Sequence, residues 1–162
     1  MLRKSERPLQ QLAKRYSEQE NIGQSGLKKL HTSGPLSNSI STIKTSVIQY
    51  KQYTSFKLSI LCDGTKNCFC LLNDNVVVFV QNIVKFISSD KIYICGYDLK
   101  TLTPSSFYTI PCSSIDLNIK IVSIGKNQTL QIWPIDTIKA KIWLIPFKEK
   151  YIAVPIIHSY TQ

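Results

Sequence analysis

The chain has 162 residues, 43% of them hydrophobic and 19% charged, and a net charge of +10. That length and balance suit one core-forming domain, with room for a tail. No apolar run reaches the roughly 18 to 20 residues of a membrane helix, and the opening Met1-Leu-Arg-Lys-Ser-Glu-Arg-Pro8 lacks an apolar secretory segment, so a soluble, intracellular protein, nuclear or cytoplasmic, is expected.

One helix is predicted, over Pro8–Glu20. Pro8 suits the first helical position, Leu9, Leu12, Ala13 and Tyr16 form one apolar stripe, and Gly23 supplies a stop. About thirteen residues are marginal alone, so this helix must dock on the rest of the chain or on a partner. The charge is concentrated there: residues 1–61 hold ten basic and three acidic side chains, a balance of +7. Residues 62–162 hold ten and seven, a balance of +3, and all three arginines precede residue 16. From Asn21 to Ser46 the composition is that of a linker, with six Ser, three Thr, three Gly and two Asn in 26 residues.

The strand pattern starts near Val47. Phe56, Leu58 and Ile60 alternate with Lys57 and Ser59, as in a half-buried strand. Cys68–Leu72 and Val76–Phe86 read as a hairpin turned by Asn73-Asp-Asn75, residue types that accept positive φ. Further strands are predicted at Lys91–Leu99, Phe107–Ile110, Leu117–Ile124, Thr129–Trp133, Ile138–Ile145 and Tyr151–Ile157. Pro134, Pro146 and Pro155 each remove a ladder donor and belong at strand ends or edges. The chain thus reads as a basic N-terminal helix (1–22), a flexible linker (23–46) and an all-β domain (47–162). That domain is expected to be a small barrel or sandwich of about seven to eight strands.

No pattern points to catalysis. Five cysteines, Cys62, Cys68, Cys70, Cys95 and Cys112, cannot all pair, and most sit among apolar neighbours, as buried thiols do. Their spacing lacks the close pairs of a zinc module, Cys68 and Cys70 fall on one strand face, and His31 and His158 are isolated. There is no Gly-x-Ser-x-Gly elbow and no glycine-rich phosphate loop. No metal or cofactor is expected. The aspartates fall in predicted turns, where Asp is common for backbone reasons. Among the aromatics, Trp133, Trp143 and Phe107 read as core, with Tyr93, Tyr97 and Tyr108 on its rim and available to a partner.

Asn75-Val-Val-Val-Phe-Val-Gln-Asn-Ile-Val84, Ile92-Tyr-Ile-Cys-Gly-Tyr97, Phe107-Tyr108 and Ile138-Lys-Ala-Lys141 follow one another in an order that resembles the bromo-adjacent homology module of chromatin proteins, a β-rich fold. Asp98–Pro104 stands where that family has an Arg-Pro-Glu element, and Ile142 where it has a cysteine. Pro8-Leu-Gln-Gln-Leu12, Phe107–Ser114, and the stretch from Trp133-Pro-Ile to Val154-Pro-Ile-Ile-His158 are similar to the terminal region of transposon-derived eukaryotic proteins. That second resemblance implies a module of a larger polypeptide whose catalytic part lies elsewhere.

These features converge on a non-enzymatic binding module. Its protein partner would engage Leu9, Leu12, Tyr16, Tyr93, Tyr97 and Tyr108. Arg3, Lys4, Arg7, Lys14, Arg15, Lys28 and Lys29 would attract nucleic acid phosphates. A structural subunit docked through the helix, and a cysteine hydrolase using Cys112 and His158, are the alternatives.

Overall fold

The computed structural model describes residues 26–41, 47–55, 58–64, 67–102, 112–125 and 128–156. The expected helix over Pro8–Glu20 and the strand at Phe107–Ile110 lie outside them. Within them the protein is all-β: one sheet of eleven strands, more than the seven or eight expected. In chain order these are β1 (Gly26–His31), β2 (Val47–Thr54), β3 (Ser59–Leu61), β4 (Phe69–Leu72), β5 (Val77–Phe86) and β6 (Ile92–Asp98), then β7 (Lys100–Thr101), β8 (Lys120–Ser123), β9 (Gln131–Pro134), β10 (Ile138–Phe147) and β11 (Lys150–Ile156). A one-turn helix, α1 (Asn38–Ser41), follows β1, and a 3-10 turn at Ile135–Thr137 precedes β10. β1 and α1 occupy the stretch expected as a flexible linker. β1 escapes a periodicity search because its Leu-Lys-Lys-Leu core shows neither repeat, and it is held by its ladder to β2.

The sheet runs β1-β2-β5-β4-β10-β11-β8-β7, with β3 beside β2 and β6 between β5 and β9. It is not a closed barrel. The path ends at β1 and β7, and every strand pair is antiparallel. It is nevertheless strongly curled, because β7 follows β6 after the single residue Leu99. β6 pairs with β5 while β7 pairs with β8, so chain continuity links two distant parts of the path.

β5 organises this geometry. On one side its first half pairs with β4 and its second half with β2; on the other it pairs along its length with β6. The register against β6 slips between Val80 and Asn82, leaving Gln81 as the extra residue of a bulge. A bulge bends its strand and resets which side chains share a face. Before it, Val77 and Phe79 pack in a cluster with Phe69, Leu71, Leu99, Val122, Ile142 and Ala153. Val78 and Val80 pack on the other face with Ile60, Cys70, Leu72 and Ile94, and Ile83 joins them after the bulge. Val84 then meets Ile40 and Cys95 in a third cluster beneath α1. β4 and most of β5 are therefore buried on both faces, which explains their nearly unbroken apolar sequences.

The turns follow their sequence signals. Asn75, Asp90 and Lys148 take positive φ in the β4–β5, β5–β6 and β10–β11 turns. Pro146 and Pro155 lie inside β10 and β11. β4 reaches β10 only as far as Lys141, and β8 reaches β11 only as far as Ala153. Each proline thus stands where its strand has one neighbour and a missing N–H breaks no ladder. The strand expected from Leu117 is shorter: residues 114–118 are a turn, Leu117 is exposed, and β8 begins at Lys120.

Gly96 marks the tightest contact of the sheet. It pairs with Val80 beside the bulge, and a Cβ there would strike the Phe79 carbonyl oxygen and lie 3.0 Å from the carbonyl carbon. The obstacle is backbone, so it cannot rotate away. Gly96→Ala is expected to lower the unfolding free energy by about 1–3 kcal/mol, as overpacking does. Gly26→Ala, where nothing lies within 4 Å, should be near neutral, and urea unfolding of the two variants checks the contrast.

Candidate functional site

Two regions combine polar chemistry with access to solvent. The first is an open cleft of about 910 Å³ where β1 leads into α1, lined by Leu30, His31, Gly34, Leu36, Val47 and Gln49 among others. Its floor is a polar network on the fully buried Asn82. The Asn82 amide nitrogen donates to the Gln49 side-chain oxygen at 2.9 Å and to the Pro35 carbonyl at 3.0 Å. With both amide hydrogens used there, Asn82 Oδ1 is the acceptor for His31 Nε2 at 3.0 Å and for the Ile83 N–H at 2.9 Å. The Gly34 N–H completes the set by donating to Gln49 Oε1 at 3.0 Å. Gly34 is closely packed here, since a Cβ would come within 2.5 Å of His31 Cε1. Asn82 is saturated and fastens residues 32–37 to the sheet, whereas His31 Nδ1 is buried at the cleft with no hydrogen-bond partner.

The second region is the outer side of β10. Ala140, Ile142 and Leu144 point into the first core cluster, which turns Lys141, Trp143 and Ile145 outward. Trp143 is 51% exposed and Ile145 37%. Across the β10–β11 ladder they stand opposite Val154 and Ile152. The expectation that Trp143 is core is therefore corrected. β10 is apolar on both faces, and only one of them meets the interior. Trp133, by contrast, does pack against the second cluster.

Two lysines meet beside the β4–β5 turn rather than on that outer side, since Lys120 stands opposite Ala153, itself opposite Leu144 of the first cluster. The register against β4 slips between Ile138 and Ala140, and Lys139 is the extra residue. Its ammonium donates to Asn75 Oδ1 at 3.3 Å, while Lys120 Nζ donates to the Asn75 carbonyl at 2.7 Å. Two cations thus share one neutral residue. Burial and the nearby Lys139 charge push the Lys120 ammonium below its ordinary value, partly opposed by Asp74. Lys141 Nζ donates to Asn67 Oδ1 at 2.7 Å, and burial lowers its value too. β4, β8, β10 and β11 contain no Asp or Glu; the nearest acids in sequence, Asp74, Asp116, Asp136 and Glu149, stand in the adjoining turns. On another part of the molecule Lys85 is paired with Asp90 at 2.6 Å and held above its usual value.

The other predicted site residues are dispersed. Lys28 and Lys29 lie exposed on β1, at the end of the sheet path, and Lys29 has a positive φ of 61° that kinks this edge. Tyr93 packs against the third cluster, edge-on to Phe86 at 5.2 Å, and Tyr97 is half-buried opposite Phe79. Arg3, Lys4, Arg7, Leu9, Leu12, Lys14, Arg15, Tyr16 and Tyr108 lie outside the described residues, as does His158.

The thiols face apolar surroundings. Cys68 and Cys70, expected on one face, enter different clusters because Cys68 precedes β4 in a bend. Burial pushes Cys62 up to about 12, and Cys68 and Cys95 up to about 11; Cys70 is raised further by the same cause. Such thiols stay protonated at neutral pH and are poor nucleophiles and ligands. Cys112 is exposed. Among the described residues no group of three or more His, Cys, Asp or Glu is placed to hold a metal ion. No helix among them is long and apolar enough to cross a membrane.

Residues 30–156 match the model of a family described as Domain of unknown function (DUF8592). The chain belongs to this family. The match begins within β1 and ends with β11, so it spans both regions described above. No curated protein and no solved structure matches the chain.

In the native protein a thiol reagent at neutral pH is expected to modify Cys112 promptly, half-buried Cys62 more slowly, and Cys68, Cys70 and Cys95 only on unfolding. Mass spectrometry before and after adding denaturant checks this. The same shifts carry a sign for stability. Unfolded thiols ionise above about 9.0 while the buried ones do not, so the thiol contribution is complete below that pH and is lost as pH rises towards the folded values. Urea midpoints should therefore fall progressively above pH 9, and less so in a Cys62→Ala, Cys95→Ala double variant.

Proposed function

We propose that this domain is a non-enzymatic binding module that presents the outer side of β10 and β11 to a macromolecular partner. One observation carries the reading: Trp143, half-exposed, continues into Ile145 on a strand whose opposite face fills the core. A large aromatic left in water costs hydrophobic free energy unless a partner covers it, and Trp is the residue type most enriched at the energetic centres of interfaces. The inert buried thiols and the lack of a catalytic motif favour binding over chemistry. The basic residues ahead of β1 (Arg3, Lys4, Arg7, Lys14, Arg15), with Lys28 and Lys29, add a salt-sensitive attraction to phosphates. A nuclear or nucleic-acid-associated assembly is the setting this charge suits.

Photo-crosslinking in the source cell tests the face. Trp143→p-benzoylphenylalanine is expected to give discrete adducts, whereas Lys91→p-benzoylphenylalanine, exposed in the β5–β6 turn, gives none. Equal patterns at the two positions would sink the reading. Shortening the chain to start at Gly26 is expected to weaken binding to an anionic polymer and flatten its salt dependence. An unchanged titration would remove the arm from the proposal.

A further inference from the structure

We infer that the cleft where β1 leads into α1 is a binding site for a small uncharged molecule with an apolar body and a hydrogen-bond donor, the donor aimed at His31 Nδ1. The inference is independent of the reading of β10, with which it shares no residue.

Three backbone groups fix the chemistry of the ring. The Ile83 N–H can only donate and the Pro35 carbonyl can only accept, so Asn82 must turn Oδ1 to the first and its amide nitrogen to the second. The Gly34 N–H likewise fixes Gln49 Oε1 as the acceptor of the other Asn82 hydrogen. His31 Nε2, 3.0 Å from Asn82 Oδ1, therefore carries the hydrogen of the neutral ring. Nδ1 is left with a lone pair, able to accept and unable to donate. It is buried and has no partner. A buried acceptor without a donor is a cost that native structures seldom leave standing. The network around it cannot supply that donor: both Asn82 amide hydrogens are committed, and Gln49 Nε2 faces the Thr32 carbonyl instead.

The surroundings define the rest of the ligand. Leu30, Leu36, Val47 and Ile48 line the cleft with His31, and among the described residues no Lys, Arg, Asp or Glu does. Such a lining recognises an apolar body and no charge. A volume of about 910 Å³ falls in the range of sites for small organic molecules. Thr32 and Ser33 are exposed on the same wall, the part of it free to give way as a donor reaches the shielded nitrogen. An added peptide strand fits less well, since the positive φ of Lys29 kinks the edge of β1 that it would have to follow.

Imidazole nitrogen NMR of the full chain, labelled at histidine and held in mildly alkaline buffer, tests this, with His158→Gln assigning the two rings. The free protein should show His31 with its hydrogen on Nε2. Phenol and indole are the probes, each set against a capped counterpart, anisole or N-methylindole, that keeps the apolar body and lacks the donor. Phenol and indole should move the Nδ1 resonance upfield, as accepting a hydrogen bond does. The capped probes should bind roughly three- to tenfold more weakly, without that shift. Ser33→Trp, at an exposed position on the wall, should abolish binding and leave the urea midpoint near that of the parent. His31→Gln, which keeps a donor for Asn82, should make capped and uncapped probes equal; if it fails to fold, the Nδ1 shift in the parent still decides. A hydrogen on Nδ1 in the free protein, equal binding of capped and uncapped probes to the parent, or indifference to Ser33→Trp overturns the inference. So does the absence of any probe response at His31, the result expected where an ordered water alone serves the nitrogen.

Discussion

Burial of β4 and β5 on both faces is the constraint on which the rest of this structure depends. A strand covered on one side can keep polar residues on the other; these two cannot, and their sequences are correspondingly apolar. Serving two layers also requires β5 to pair with three strands. A straight ten-residue strand would carry one continuous ladder on each side. The bulge at Gln81 bends β5 so that β4 takes its first half and β2 its second, and Gly96 lets β6 follow the bend at close approach. Each of the largest buried side chains here, such as Ile83, Ile94 and Ile142, contributes about 1.5–3 kcal/mol of transfer free energy. That gain is available only if the bend is accommodated.

The one polar side chain in the middle of this arrangement shows the same logic. The bulge directs Asn82 away from Val78 and Val80 and towards the turn after β1. A buried amide is costly unless every donor and acceptor is matched. Asn82 finds Gln49, Pro35, His31 and its neighbour Ile83, and thereby ties the start of the domain to its central strand. This tie helps explain how a stretch rich in serine and glycine can be ordered: side chains from β2 and β5 hold its backbone, and Ile40 with Leu36 anchors it in the third cluster.

Legibility in the sequence followed the same division. Strands with a local signal, apolar runs bounded by Asn-Asp-Asn or Ser-Asp-Lys turns, were readable to within a residue or two: β4, β5, β6 and β11. β1 and β7 were not, because what makes them strands is a ladder to residues 18 or more positions away, and Leu-Lys-Lys-Leu or Lys-Thr carries no period of its own. Closure failed for a related reason. Strand count suggests a barrel, but whether the ends of a sheet pair depends on bulges and bends that composition does not encode. Of the candidate site, the sequence exposed the basic arm and the lack of catalytic motifs. It concealed the lysine cluster, since Lys120 and Lys139 meet only through a turn at Asn75.

Trp143 shows where alternation as evidence ends. Period two assigns Ala140, Ile142 and Leu144 to one face of β10 and Lys141, Trp143 and Ile145 to the other, but both sets are rich in apolar atoms. The deciding information is which side chains cover each face: Val77, Phe79, Leu99 and Val122 pack over the first, while Trp143 and Ile145 join none of the three core clusters. An edge of the hydrophobic pattern therefore becomes a surface. Where that surface begins, at Lys141, the strand also passes from charged to aromatic residues, so the same local geometry that ends the ladder to β4 places a cation and a ring side by side. Ladder length, rather than any motif, makes this the chemically distinctive part of the molecule.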